Sequence, residues 1–190
     1  MDNRQASKLK KLGIFTLEKA VAVGLSQQEL SRLVTAEKLK RLARGIYLHP
    51  EADLQGDVGF QVACAKFGPE AAIGGLSALF YYNLAEQVPG HTWVMVPTER
   101  KTRESGYKLI RTKVSLEKGI VRENGYRIVS IERAILEALK FIRKIGERIA
   151  VKAARDALSK RKTTELKLGR AAKELGLESA LIKYLEVIVP

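Results

Sequence analysis

Between Ser26 and Thr35 the chain sets Gln27, Gln28, Ser31, Arg32 and Thr35 at spacings that, on a helix, turn them away from Leu30, Leu33 and Val34. Those side chains can read a nucleic-acid duplex. A glutamine amide matches the donor and acceptor on an adenine edge, an arginine guanidinium matches guanine, and a hydroxyl reaches a phosphate. Ser26 opens the helix and Glu29 stands three residues on, the spacing at which each side chain satisfies the other's free amide. The amides of such a helix start, with their partial positive charge, suit a phosphate. Lys38, Lys40, Arg41 and Arg44 follow at once, with Tyr47 on the return strand, as a basic segment suited to gripping a sugar–phosphate backbone.

A reading helix must be held by a second one. Ala20 permits two helices to cross closely, Gly24 supplies a left-handed turn between them, and Leu30 packs back with Val23, Leu25 and Leu33. The spacing predicts a helix over Ala6–Leu12 stopped by Gly13 and a short extended piece at Ile14-Phe15. A helix capped by Thr16 follows over Leu17–Val23, and the reading helix runs from Ser26 to about Lys38. Leu39–Leu42 and Ile46–Leu48 should form a hairpin about Ala43-Arg44-Gly45. Residues 1–50 thus read as a winged helix-turn-helix, in which the helix reads and the wing grips.

Charge points the same way. Of the chain's 190 residues, 34 are Lys or Arg and 21 are Asp or Glu, a formal net of +13, and a field of that sign attracts polyanions. The excess is concentrated at the ends, +6 over residues 1–50 and +6 over 131–190, with +1 between. Cys64 is the single cysteine, so no intrachain disulfide and no cysteine-cluster metal site is available; its apolar neighbours predict a buried small hydrophobe. The first residues carry no apolar run behind their charges, and no stretch approaches the ~18 apolar residues that cross a bilayer. A soluble, cytoplasmic protein is expected.

Pro50–Gly56 reads as a linker, which sets a second domain at 57–190. There, apolar helical segments are expected at Val58–Phe67 and Leu76–Leu84, and strands at Thr92–Val96, Lys108–Thr112 and Tyr126–Val129. Beyond Ser130 the pattern turns helical over Ile131–Ile142, Arg148–Leu158, Glu165–Leu175 and Ser179–Val189. The class expected is α+β: a winged helix-turn-helix head, then a larger α/β domain with a small sheet and several helices.

The block GIFTLEKAVAVGLSQQELSRLVTAEKLKRLARGIYLHP resembles the winged domain of the AbiEi family, the antitoxins of type IV toxin–antitoxin systems, and the resemblance continues in GGLSALFYYNLAEQVPGHTWVMVP and VSIERAILEALKFIRKIG. It implies a transcriptional repressor, not an enzyme, whose winged domain binds inverted repeats of duplex DNA in its own operon's promoter, as a homodimer on that DNA. It implies a mixed α/β domain that neutralises a nucleotidyltransferase-like toxin without a stable complex; solitary relatives would act as plain regulators. The family's reading helix falls on Ser26–Lys38 and its wing on Lys40–Leu48. Ala36-Glu37-Lys38 departs from the pattern, because the family often carries a basic residue and a glycine before the wing.

Catalytic alternatives are thin, and no cofactor or metal is implied. Ser77 lacks the second glycine of a nucleophile elbow, and the two histidines, His49 and His91, stand in no triad context. Glu99-Arg100-Lys101 after a strand mimics the end of a metal-dependent nuclease site, but its nearest upstream carboxylates, Glu86 and Asp57, lie in helical or linker sequence. Glu132, Arg133 and Glu137 read as surface charges favoured by the helix dipole. Lys160, Arg161, Lys162, Lys167, Arg170 and Lys173 form a basic stripe, which is either a solvated face or a second phosphate- or RNA-contacting surface. A protein- or RNA-interaction module is the remaining alternative.

Overall fold

The computed structural model describes residues 3–189. The chain divides into two compact units, Met1–Pro69 with Glu123–Tyr126, and Glu70–Arg122 with Arg127–Pro190.

The first unit runs α1 (Asn3–Leu12), β1 (Ile14–Thr16), α2 (Leu17–Ala22), α3 (Gln27–Thr35), β2 (Lys40–Ala43), β3 (Ile46–Leu48) and α4 (Val58–Phe67). Its strands form an antiparallel sheet in the order β1-β3-β2. The helices and sheet close over Leu9, Phe15, Ala20, Leu25, Leu30, Leu39 and Tyr47, all buried, with Leu17, Val23, Leu33 and Val34 packed against them. This is the winged helix-turn-helix arrangement. Helix α4 packs on β1 and β3, so this unit extends past the residue-50 limit read from the sequence. The expected linker is also tied down: Lys10 pairs with Glu51 at 3.1 Å, and the buried His49 ring accepts from the Glu51 amide.

The second unit contains β4 (Ala72–Ile73), α5 (Gly75–Tyr81), β5 (Thr92–Val96), β6 (Tyr107–Arg111), β7 (Ile120–Glu123), β8 (Tyr126–Val129), α6 (Ile131–Lys140), α7 (Ile142–Ile145), α8 (Glu147–Ser159), α9 (Glu165–Leu175), α10 (Glu178–Ile182) and α11 (Leu185–Ile188). The sheet order is β6-β5-β4-β8-β7, five strands where sequence spacing suggested three. β4 has two residues and β7 carries two exposed positions in succession, so neither shows a periodic apolar signal. Gly74 and Gly75 let α5 start hard against the sheet: a Cβ at Gly74 would lie 2.4 Å from Met95, and one at Gly75 2.6 Å from Trp93 and Ile110. Ser77 sits there as a structural group, its hydroxyl accepting from the Trp93 amide at 2.9 Å. Cys64 on α4 is only half-buried, contrary to the enclosed position expected.

Helix α6 lies at the middle of this unit, against α5, α8, α9 and α10. That placement overturns the surface-charge reading of Arg133 and Glu137, whose side chains are 0 % and 1 % exposed and paired at 3.2 Å. Arg133 also donates from Nη1 to the carbonyls of Ser115 and Lys118, at 2.6 and 2.5 Å, which ties the loop before β7 to the helix. Burial pushes the Glu137 carboxyl above the ordinary carboxylate range, against the pull of Arg133, and burial likewise lowers Arg133.

Candidate nucleic-acid interface

The turn between α2 and α3 is set by backbone hydrogen bonds. Leu25 N donates to Ala20 O at 3.0 Å and Gly24 N to Val21 O at 2.8 Å, a double closure that requires a left-handed residue at Gly24, where φ is 90°. Helix α3 then begins on a complete capping box: Glu29 N donates to Ser26 Oγ at 3.2 Å, and Ser26 N to Glu29 Oε2 at 2.8 Å. The Ser26 amide, and then the Ser26 hydroxyl, both donating to the carboxylate, hold the Glu29 carboxyl below its ordinary range. Ser26 therefore positions the helix through its side chain, and the Ser26 hydroxyl also donates to Glu29.

On the outer face of α3, Gln27, Gln28, Ser31, Arg32 and Thr35 are all exposed. Gln28 and Arg32, four residues apart, stand opposite the buried Leu30. Thr35 differs from the rest because its hydroxyl donates to the Ser31 carbonyl at 3.1 Å. Lys38, Lys40, Arg41 and, at the hairpin turn, Arg44 are all exposed. β2 is an edge strand, and its register shifts between Arg41 and Ala43; the charges and the irregularity also blunt that free edge. The turn at Arg44-Gly45 is anchored by Leu17 N donating to Gly45 O at 2.9 Å.

Tyr47 must be taken out of the contact set. It is 6 % exposed and its ring stacks on Phe15 with centroids 6.0 Å apart, so it belongs to the core. Its strand, β3, is the central one of the three, which sequence spacing alone could not reveal.

Helix α3 ends at Thr35, short of the expected Lys38. Lys38 N donates to Leu33 O and Glu37 N to Val34 O, repeating the closure at the end of α2, but here Glu37 occupies the left-handed position, with φ 56°. A side chain in that conformation is strained by roughly 1–2 kcal/mol, partly offset by the extra freedom glycine has in the unfolded chain. Glu37→Gly should therefore stabilise the head by about 1 kcal/mol. A chemical-denaturation midpoint that falls in this variant would show that the left-handed turn is not retained.

Half of the second basic stripe is committed to structure. Lys160 pairs with Asp156 at 3.0 Å, Lys162 donates to the Tyr82 carbonyl at 2.6 Å, and Arg161 is the left-handed residue closing α8. Lys167, Arg170 and Lys173 lie on α9 as its solvent-facing cations. Glu99, Arg100 and Lys101 lie exposed in the segment after β5, and among the described residues no three His, Cys, Asp or Glu side chains are grouped to hold a metal. Among those residues, no helix is long and apolar enough to cross a membrane.

A winged helix-turn-helix with an exposed polar reading helix and a basic wing defines a DNA-binding regulator. Residues 5–50 match the model of the family described as transcriptional regulator, AbiEi antitoxin. The head of the chain is therefore similar to an AbiEi-type regulator domain. No curated protein matches the chain.

Proposed function

We propose that the chain is a sequence-specific repressor that binds inverted repeats of duplex DNA in its own promoter as a dimer, autoregulates a type IV toxin–antitoxin operon, and uses its second unit to oppose a nucleotidyltransferase-like toxin without a stable complex. One observation carries the DNA reading: Gln28 and Arg32 stand exposed on a helix fixed at both ends, with Lys40, Arg41 and Arg44 directly behind. Helix side chains would select bases, and wing cations would neutralise phosphates or enter an A·T-rich minor groove. The head's family match supports regulation, and the second compact unit supports a division of labour.

A titration of full-length protein against promoter and random duplexes at several salt concentrations tests both roles. Gln28→Ala or Arg32→Ala should cost about 1–3 kcal/mol on the promoter while sparing random DNA. Arg41→Ala with Arg44→Ala should weaken both duplexes and flatten log K against log salt by about one unit for each phosphate left without its cation. Equal losses on both duplexes for the helix variants, or an unchanged slope for the wing variant, would defeat the respective role.

A further inference from the structure

The end of α6 together with α7 and α10 borders an open groove of about 580 Å³ whose lining includes Lys140, Arg143, Lys144 and Lys183. No acidic side chain lines it. None of these four cations forms an ion pair with a described residue, whereas Lys152 and Lys160 in the same unit pair with Glu86 and Asp156. The groove also has apolar walls. Lys140 and Lys144 lie 5.5 and 5.3 Å from the Phe141 ring centre, and Lys183 lies 5.2 Å from that of Tyr184. Four like charges around one concavity repel one another, and low-dielectric walls concentrate their field on whatever anion enters.

We propose that this groove binds a single strand of nucleic acid, with its phosphates on Lys140, Arg143, Lys144 and Lys183 and a base against the apolar wall at Phe141. A single strand is thin enough to enter a concavity of this size, and it joins a charge to an apolar base at every nucleotide. An acidic helical peptide repeats its carboxylates along one face at a similar interval, about 4.5–6 Å, but joins no planar apolar group to each charge. The site lies wholly within the second unit and does not depend on the reading of the head.

The test uses full-length protein and a fluorescent ten-nucleotide oligouridine, titrated at three salt concentrations. The groove variant Lys140→Gln/Arg143→Gln/Lys183→Gln should weaken binding about tenfold or more and flatten the salt slope by about two units, at roughly 0.7 per single-strand phosphate. A charge-matched control, Lys167→Gln/Arg170→Gln/Lys173→Gln, should leave both within about twofold of the parent chain. Promoter-duplex binding should be unaffected in the groove variant, which separates this site from the head. Photocrosslinking of a bromouridine oligomer to the unaltered protein gives a second readout, with adducts expected in residues 139–144 and 179–184. Equal losses in groove and control variants, adducts elsewhere, or an acidic amphipathic peptide occupying the groove more tightly than the oligonucleotide would overturn the proposal.

Discussion

Glu137→Ala should destabilise the second unit by about 3–5 kcal/mol, because it leaves the Arg133 guanidinium charged and enclosed without its counter-ion. Nε and Nη2 of Arg133 both donate to Glu137 Oε1, at 3.3 and 3.2 Å, and nothing else among the described residues replaces that acceptor. Removing both charges is a different experiment. Arg133→Met with Glu137→Leu should recover most of the loss, since two desolvated ions are exchanged for apolar packing. Recovery should be incomplete, because the Ser115 and Lys118 carbonyls are left without their donor. The pH dependence has a defined sign. A carboxyl raised by burial holds its proton more tightly in the folded chain, so its favourable contribution is present below the ordinary carboxylate range and is lost as pH rises through the raised value. The parent protein should therefore lose stability relative to the double variant over that rise. Urea unfolding measures all three, and a cost under about 1 kcal/mol for Glu137→Ala would contradict burial of the pair.

Leu30→Ala should cost the head about 2–5 kcal/mol. Leu30 is fully buried and belongs to the single cluster formed with Leu9, Phe15, Ala20, Leu25, Leu39 and Tyr47, so the cavity opens where the reading helix meets its support. A core of so few side chains has little stability to lose. The duplex binding proposed for the head should fall with it on promoter and random DNA alike, unlike the selective loss expected of Gln28→Ala. The second unit buries Ile73, Met95, Ile128, Ile135 and Leu139 and should keep its own melting transition. Calorimetry of the variant checks this, and downward movement of both transitions together would show that the units do not unfold separately.

Much of the head was legible because its signals are local. The Thr16 and Ser26 caps, the Gly24 turn and the Leu25/Leu30 spacing act within a few residues of one another, and each appears in the structure as the sequence implies. Elements marked by their composition were equally readable, as at the apolar helix Val58–Phe67, the run of β-formers Thr92–Val96 and the amphipathic Glu165–Leu175. The end of α3 was not, because nothing local distinguishes a glutamate in a left-handed closure from one that continues a helix.

What the sequence determined by itself was helix α3, its caps, its basic sequel and the charge excess, all consequences of side-chain type at short range. What only the tertiary structure decided was which side chains water reaches. Arg133–Glu137 and Lys152–Asp156 are both opposite charges four residues apart on a helix, yet the first pair is 0 % and 1 % exposed and the second 48 % and 22 %. The difference lies in the neighbours: α6 is surrounded by helices from distant parts of the chain. Tyr47 is drawn into the core for the same reason, since β3 is flanked by β1 and β2. The cations of the groove likewise come from residues 140–144 and 183, which only chain folding brings together. Burial and convergence depend on packing between distant segments, and no periodicity within one segment encodes them.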